Sequence, residues 1–567
     1  MTPSSPRSRP RRATSPLSVR VAHALLGAVA AVVWLVLPWV ATHSATPASV
    51  PGERPAASGA VAQREGEDTS TGDLVLPLVV AGAVVVVAGF GYVRRTRRAR
   101  SRTTPGGKPA GPAGGSGPPL EELDERARAL LAEADDWVRT SREELAFAQD
   151  RSGAQAVAPF ARALREAEAE LAAAFRMRQQ YDEGVPGDET GRRQALAGIL
   201  GRCLEAGRRL DAAADGFDEL RGLERDPGPA LAVAQARFHA LTARMGPARA
   251  LLADLAARHA ASATDPVVGS AEQAEDRLLF ATTHLNRAYQ ATDLGDRPRA
   301  AAQLRAAEAA VAQAEAFVDG VERLAAELRA AGELVGPVLT GAEAELALVR
   351  GALPPPGTGE RPADAGTGAM AGAAPDAVPD TARPVRRPGL PQIPLGELHS
   401  RALHADAVLA SVRQELTAGR PYDPLAVLRR VVGAVAPLAT RHAGVLPAAA
   451  GLLARSSTAV AAGFVTTHRG AVGGTARTRL AEAARLLPSE ALADQLRADA
   501  LALDARERAE RDVRAHGSTY AGAAGSVSGV AGAVVGGILL AAASDDDPAG
   551  PVASFGGPTS RGRRGAP

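Results

Sequence analysis

The chain has 567 residues, enough for two or more domains at the usual size of about 150 residues each. Its formal net charge of +2 is too small to indicate a nucleic-acid-binding surface over the whole chain. Only 3% of the residues are aromatic, and Lys108 is the one lysine among 65 basic residues. This composition argues against an aromatic-rich β-sandwich and against a lysine-dependent enzyme. It favours a mainly α fold in which alanine and leucine fill the interior.

Two apolar segments lie near the N-terminus, at residues 21–41 and 74–93. The first contains one histidine and no charged side chain, and the second contains Tyr92 as its only ionisable group. A helix of about 20 residues rises roughly 30 Å, the thickness of the hydrocarbon core of a bilayer. The sequence therefore predicts a transmembrane hairpin, with the short acidic segment 42–73 between its two helices.

Arginine placement predicts the orientation of this hairpin. The leader 1–20 is basic, the segment 42–73 is acidic, and a second arginine cluster directly follows the second apolar run. Because positive flanks stay inside, both clusters and the bulk of the chain are expected in the cytoplasm, with the protein integral to the cell membrane. The second cluster is also a candidate contact for anionic lipid headgroups, although a stop-transfer signal alone is the favoured interpretation. It consists of Arg94, Arg95, Arg97, Arg98, Arg100 and Arg102.

The first apolar run has a second interpretation, as a cleaved signal segment. Its basic leader and the small residues that follow it fit such a segment, whereas its length exceeds the usual core of about 7–15 residues. In both interpretations the second run keeps everything after Arg94 inside.

Residues 94–119 form a basic juxtamembrane and Gly/Pro linker, and a helical pattern begins at Leu120. Apolar residues then recur at steps of three and four, which predicts a coiled-coil or bundle domain over 120–350. Breaks at 184–188, at 226–229 and near Gly295 favour antiparallel packing within one chain over a long dimeric rod. The four predicted seams are Leu123, Ala127, Leu130, Ala134, Trp137 and Ser141; Phe160, Leu164, Ala167 and Leu171; Ile199, Cys203, Ala206, Leu210, Ala213, Phe217 and Leu220; and Val311, Ala314, Val318, Val321, Ala325, Leu328, Gly332 and Val335.

The rest of the chain divides by composition. Residues 351–394 are rich in proline and glycine and are predicted to be a disordered linker. A second helical domain is predicted over 395–516, and a Gly-rich disordered tail over 517–567. Within that tail the apolar stretch 525–543 has nearly the length of a third membrane span, but its glycines and weak hydrophobicity favour a mobile segment.

No motif for a reaction is present. The chain lacks a phosphate-binding loop with lysine, a His-Glu-x-x-His pair, a Cys-x-x-Cys pair and a nucleophile elbow. His399 and His404 are five residues apart, so on a helix they do not share a face for a metal. Cys203 is the only cysteine and is expected on a helix seam. We therefore predict no catalytic, cofactor-binding or metal-binding residue.

Several stretches resemble the cytoplasmic helical region of actinobacterial TPM-domain membrane proteins. They are FAQDRSGAQAVAPFARALREAEAELAAAFRMRQQYD (147–182), RCLEAGRRLDAAADGFDELRGLE (202–224), HADAVLASVRQELTAGRPYDPLAVLRR (404–430), ARSSTAVAAGFVTTHRGAVGGTARTRLAEAARLL (454–487) and the ending FGGPTSRGRRG. The resemblance covers most of 75–567 and implies an extracytoplasmic TPM domain, one transmembrane helix and a cytoplasmic helical region. Residues 43–73 are too few for a TPM domain, so the resemblance assigns no catalytic residue here.

These observations favour a non-enzymatic, membrane-anchored helical scaffold that binds protein partners through its helical seams. The alternative is an accessory or degenerate relative of a phosphatase-like TPM-domain protein that has lost its catalytic domain. A third, weaker interpretation places the helical region outside the cytoplasm. No cofactor and no nucleic-acid partner are predicted, and the oligomeric state is left open.

Overall fold

The computed structural model describes residues 118–353, 393–439, 444–520, 530–539 and 552–564. The predicted hairpin, the arginines from Arg94 to Arg102 and almost all of the linker 351–394 lie outside these ranges and stay predictions. The described residues all belong to one compact unit, which covers 113–567.

The described part of the unit is helical and contains no strand longer than an isolated bridge, so the prediction of a mainly α fold is confirmed. A 3₁₀ turn, Asp265–Val267, follows α4. The helices in chain order are α1 (Leu120–Asp182), α2 (Glu189–Arg221), α3 (Gly228–Arg258), α4 (Ala261–Thr264), α5 (Ser270–Asp293), α6 (Arg297–Ala352), α7 (Leu395–Thr417), α8 (Pro424–Val435), α9 (Val445–Thr467), α10 (Gly474–Leu486), α11 (Leu492–Tyr520), α12 (Val530–Val535) and α13 (Pro558–Arg564).

Local sequence explains where several helices begin and end. The side chains of Asp188, Asp296 and Asp423 each accept a hydrogen bond from a backbone N–H in the first turn of α2, α6 and α8. Gly222, with a φ of +56°, ends α2 in the left-handed conformation that glycine adopts most readily. The helix junctions therefore fall at the breaks expected from glycine, proline and aspartate in the sequence.

The longest helix, α1, contains 63 residues and is not uniform. Gly153 has φ +81° and ψ 161°, which is not helical, and it separates two helical halves. An L-residue rarely adopts such a positive φ, so glycine is required for the kink.

The predicted seams face the interior. Those of α1 and α2 meet in a first core, where Ala127, Ala134, Cys203 and Phe217 are fully buried. The seam of α6 is divided between a second core, shared with α3 and α5, and a third core, shared with α7, α8 and α9. Contacts within one chain bury each of these faces, as expected for an intrachain bundle.

The two predicted helical regions are not separate in space. The third core combines residues of α6, such as Leu328 and Val335, with residues of α8 and α9, such as Val431 and Leu453. Arg469, in the connection between α9 and α10, forms two hydrogen bonds of 2.7 and 3.0 Å with Glu143 of α1. Both regions therefore belong to the same compact unit.

In the described part of the chain, α9 is the one helix that is long and apolar enough to cross a membrane. Most of its apolar stretch is buried against neighbouring helices, including α6 and α11. A core helix in a helical unit shows the same burial. Neither predicted hairpin helix is among the described residues.

The expectation of a disordered tail does not hold for residues 530–539 and 552–564. Ala533, Ile538 and Leu539 are buried in the second core, and Leu539 forms an isolated β-bridge with Val552. The described part of 525–543 is thus a short helix and turn packed on the unit, and it does not form a long apolar helix. Glycine permits this packing, since a Cβ on Gly536 would lie 2.3 Å from the side-chain oxygen of Gln313.

Candidate functional site

An open cleft lies where α1, α10 and α11 converge. It has a volume of about 380 Å³ and is formed by residues of both predicted helical regions. Since α1 precedes the linker 351–394 and the other two helices follow it, only the folded unit assembles this cleft. The lining residues are Arg128, Ala129 and Ala132 of α1; Gly473, Gly474 and Thr475 at the start of α10; and Arg508, Arg511 and Asp512 of α11.

Glycine at the start of α10 brings this helix close to α1. A Cβ on Gly474 would lie only 2.6 Å from the backbone oxygen of Arg128, so no larger residue fits without displacing a helix. The N–H of Gly473 donates a hydrogen bond of 2.9 Å to the carboxylate of Asp512, which connects α10 to α11. These two contacts set the spacing of the three helices around the cleft.

Three guanidinium groups line the cleft, and each pairs with a carboxylate four residues earlier on its own helix. The N···O distances are 2.6 Å for Arg128 with Asp124, 2.8 Å for Arg508 with Asp504, and 3.5 Å for Arg511 with Glu507. The hydrogen bond that Arg508 donates to Asp504 raises the pKa of Arg508 above its usual value. Exposed pairs of this kind contribute only about 0–1 kcal/mol, so a carboxylate or phosphate group of a partner can replace them at little cost.

Beneath the cleft, a nearly fully buried arginine fastens α10 to α1. Arg477 binds Asp135 and Asp136 at 2.7 Å each, and it donates to the carbonyl of Ala132 at 3.1 Å. Burial by itself would lower the pKa of Arg477, but the charges of Asp136 and Asp135 outweigh it and hold the pKa above its usual value. Arg477 and the two aspartates therefore form a paired ionic cluster that keeps its charge, and its contact with Ala132 reaches the lining of the cleft.

Outside the cleft, the residues that could have suggested chemistry have structural contacts instead. Cys203 is completely buried in the first core, and burial raises the pKa of its thiol to about 12, followed in size by the effect of Glu133. Asp406, two residues after His404, pairs with Arg350 at 2.6 Å. Among the described residues, no group of three or more His, Cys, Asp or Glu side chains is arranged to hold a metal ion.

The sequence does not reveal the cleft, because its arginines look the same as the arginines on other solvated helix faces of the chain. A usable signal was the glycine pair at 473–474 directly before a helix. The attachment of the C-terminal segment was also not predicted, although its sequence FGGPTSRGRRG is among the stretches that carry the family resemblance. There Phe555 stacks on Phe217 with ring centroids 4.1 Å apart.

The chain is similar to UPF0603 proteins from two strains of Mycobacterium tuberculosis. It is 29% identical to each over 436 residues, which is 74% of this chain and 62% of the relative. The match thus spans less than two thirds of the length of these relatives. No family model matches the chain, and no solved structure matches it. The similarity agrees with the expected relation to an actinobacterial protein family but shows no TPM domain.

Proposed function

We propose that this protein is a membrane-tethered, non-enzymatic scaffold whose helical unit binds an acidic segment of a partner protein at the cytoplasmic face of the membrane. The cleft at the junction of α1, α10 and α11 carries the proposal. Three arginines are among its lining residues, and the lining contains no cysteine, histidine or lysine. Its one carboxylate, Asp512, already accepts a backbone hydrogen bond from Gly473. Such a surface binds polar partners, and its lining places no histidine, cysteine or lysine beside the hydroxyl of Thr475.

The bracing of the unit supports a scaffold role. Interhelical ion pairs such as Arg477 with Asp135, and Arg469 with Glu143, join the second helical region to α1. A rigid frame keeps the three walls of the cleft in a constant geometry, so little conformational entropy is lost when a partner binds.

The sequence supports a tether at the inner membrane surface. Residues 74–93 are apolar, and the arginines from Arg94 to Arg102 follow directly. Integral membrane attachment, cytoplasmic location and contact of these arginines with anionic lipid headgroups remain parts of the proposal.

Lys108 permits a sharp test of the orientation, because it is the only lysine of the chain and lies shortly after the arginine cluster. An amine-reactive reagent that cannot cross membranes should label Lys108 in permeabilised cells and leave it unlabelled in intact cells. The variant Lys108→Arg controls for reaction at the N-terminal amine. Labelling of Lys108 in intact cells would place the helical unit outside and defeat the proposed location.

A charge reversal tests the cleft. Full-length protein should be cross-linked in cells to its partners, and the double variant Arg508→Glu with Arg511→Glu should lose most of the cross-linked partner. Arg514→Glu is the matched control, since Arg514 lies on the same helix and is 67% exposed outside the cleft lining. Equal cross-linking of the double variant and the control would exclude the cleft as the binding surface.

The second candidate is an accessory or degenerate relative of a phosphatase-like membrane protein. The observation in its favour is that the match covers only 62% of the UPF0603 relatives, which leaves more than a third of their length without a counterpart in the matched region. Phosphate release by purified full-length protein separates the two candidates, because sustained turnover would refute a role confined to binding.

A further inference from the structure

A short C-terminal segment occupies a groove between α1 and α2. Phe555 is fully buried there, stacked on Phe217 with an interplanar angle of 19°. Phe160 contacts the other side of Phe217 edge-on, at a centroid distance of 5.4 Å. In a chain with 3% aromatic residues, three phenylalanines meet at this one place. The segment is thus held by an aromatic anchor in a prepared pocket.

The main chain of the segment passes the helix at very short range. A Cβ on Gly557 would lie 2.2 Å from the backbone oxygen of Gly207, and a Cβ on Gly207 would lie 2.7 Å from Pro558. Gly556 has a φ of +124°, which also requires glycine. The groove therefore accepts two consecutive glycines after the aromatic residue and excludes larger side chains at these positions.

One carboxylate of α2 forms hydrogen bonds with the rest of the segment. Asp211 accepts hydrogen bonds from the backbone N–H of Gly557 at 2.8 Å, of Thr559 at 3.1 Å and of Ser560 at 2.9 Å. It also accepts the hydroxyl of Ser560 at 2.7 Å, and that side chain is only 2% exposed. Four donors from three residues of the segment, all directed at one carboxylate, form a specific recognition point.

The groove itself belongs to a single helical hairpin. Trp137, Ser141, Gly207 and Phe217, which contact the segment, lie on α1 or α2. These two helices share a long core that is formed mainly by their own side chains. The hairpin therefore has the contacts to keep its shape when the segment leaves, as a binding site must.

We propose that the α1–α2 groove is a peptide-binding site for the pattern Phe-Gly-Gly-Pro-Thr-Ser, and that residues 555–560 of a second copy of this chain can enter it in place of the chain's own segment. The groove is complementary to this segment sequence. Every copy of the chain therefore carries both the groove and the segment that binds in it. Exchange of identical elements between protomers creates no new interface chemistry. The tether gives the chain's own segment a high effective concentration, so exchange requires its release or crowding of copies. This inference does not depend on the proposed cleft function.

A peptide experiment tests recognition. Full-length Phe555→Ala protein, in which the groove loses its anchor ligand, is titrated with a dye-labelled peptide of residues 554–567 and followed by fluorescence anisotropy. We expect a dissociation constant of about 1–100 μM, and apparent binding to the wild-type chain at least about tenfold weaker because its own segment competes. The double variant Phe555→Ala with Asp211→Ala should not bind, whereas Phe555→Ala with Asp215→Ala, an exposed carboxylate on the same helix, should bind normally. Equal binding of a scrambled peptide, or none of the native one, overturns the proposal.

A complementation experiment tests the second copy. Asp211→Ala protein has an intact segment and a defective groove, and Phe555→Ala protein has the reverse. Mixed at concentrations above the peptide dissociation constant, they should form a one-to-one complex in size-exclusion chromatography, while each alone remains unpaired through this site. No complex under these conditions refutes exchange.

A cleavage experiment covers the case in which Phe555→Ala does not fold. A protease site is introduced at Asp545–Asp547 of the otherwise wild-type full chain, and the protein is cut after folding. Retention of the fragment 548–567, and its displacement by added labelled peptide, supports a peptide site. Loss of the fragment on cutting, or retention that the peptide cannot displace, contradicts it.

Discussion

Asp211 and Ser560 are 349 positions apart in the chain, and two hydrogen bonds join them, one from the backbone N–H of Ser560 and one from its hydroxyl. Both bonds end on the same oxygen of Asp211. This contact attaches the glycine-rich C-terminal segment to the first core. It depends on the ionised form of a single carboxylate.

The attachment of the C-terminal segment should therefore depend on pH. Burial alone would raise the pKa of Asp211, but its hydrogen bonds with Ser560 and Thr559 outweigh burial and lower it below the usual value of about 3.9. A depressed folded pKa contributes stability that is present above about pH 3.9 and is lost as the pH falls through the folded pKa. We expect hydrogen-exchange protection factors of the Gly557 and Ser560 amides to decrease in that acid range.

The variant Asp211→Asn provides the control for this prediction. It should show low protection of the same amides at every pH, because the amide side chain cannot accept four bonds as a charged carboxylate does. Undiminished protection in Asp211→Asn would mean that the carboxylate does not hold the segment.

Removal of the buried guanidinium beneath the cleft should destabilise the whole unit. Arg477→Met leaves Asp135, which is 6% exposed, with Arg139 at 2.8 Å as its remaining ion-pair partner. Breaking a buried pair costs about 3–5 kcal/mol, and the pairing with Arg139 holds the loss toward the lower end of that range. Arg485→Met on the same helix removes a guanidinium whose side chain is 47% exposed, and it should cost at most about 1 kcal/mol. Urea denaturation followed by circular dichroism measures both free energies of unfolding. Similar losses in the two variants would contradict the structural role of Arg477.

A half-buried glutamate between α6 and α9 should favour the folded state at low pH. Burial raises the pKa of Glu327, and the hydrogen bond from Ser456, at 2.7 Å, only partly offsets it. With a raised folded pKa, the contribution to stability is complete below about pH 4.3 and is lost as the pH rises through the folded pKa. Glu327→Gln keeps an acceptor for Ser456 and removes the charge, so its midpoint of thermal unfolding should exceed the wild-type midpoint near pH 8 by more than near pH 5.

Ser456→Ala tests the same contact from the opposite side. Without the hydroxyl the charged carboxylate loses its hydrogen bond, so the loss of stability with rising pH should become steeper than in the wild type. A flat difference between Glu327→Gln and the wild type across this range would show that Glu327 is not strained by burial.

The single thiol should be unreactive in the folded protein. Cys203 has no exposed surface, and its pKa of about 12 leaves almost no thiolate at neutral pH. A chromogenic thiol reagent should react with it only after unfolding in guanidinium. The variant Ala212→Cys adds an exposed thiol on the same helix and should react within the mixing time. Fast reaction of the native wild-type chain would contradict the burial of Cys203.

The α1–α2 hairpin shows how much of the fold the sequence alone predicts. Its seams and its turn followed from the spacing of residues such as Ala127, Cys203 and Phe217 and from the glycine and proline between the helices. Periodicity and breakers are local signals, so they survive in a single sequence. The sequence alone therefore predicts which segments are helical, where most helices end, and that the seams are buried within one chain.

The sequence alone does not predict the cleft or the attachment of the C-terminal segment. Arg128 and Arg508 come together only because the second helical region packs back on α1, a contact between residues some 380 positions apart, and no local pattern encodes it. The segment 517–567 was expected to be disordered because glycine and alanine bury little apolar surface. The structure uses glycine differently at Gly557, where the absence of a side chain lets the backbone approach Gly207.

The sequence by itself determined that this is an alanine- and arginine-rich helical protein, since amphipathic periods and helix breakers act over a few residues. It also placed an apolar hairpin with basic flanks at the N-terminus as an expectation. Only the tertiary structure decided that the two helical regions form one unit, that three arginines face a common cleft and that Phe555 returns to the first core. Those results depend on shape complementarity between distant surfaces, which is a property of the packed chain and not of any segment alone.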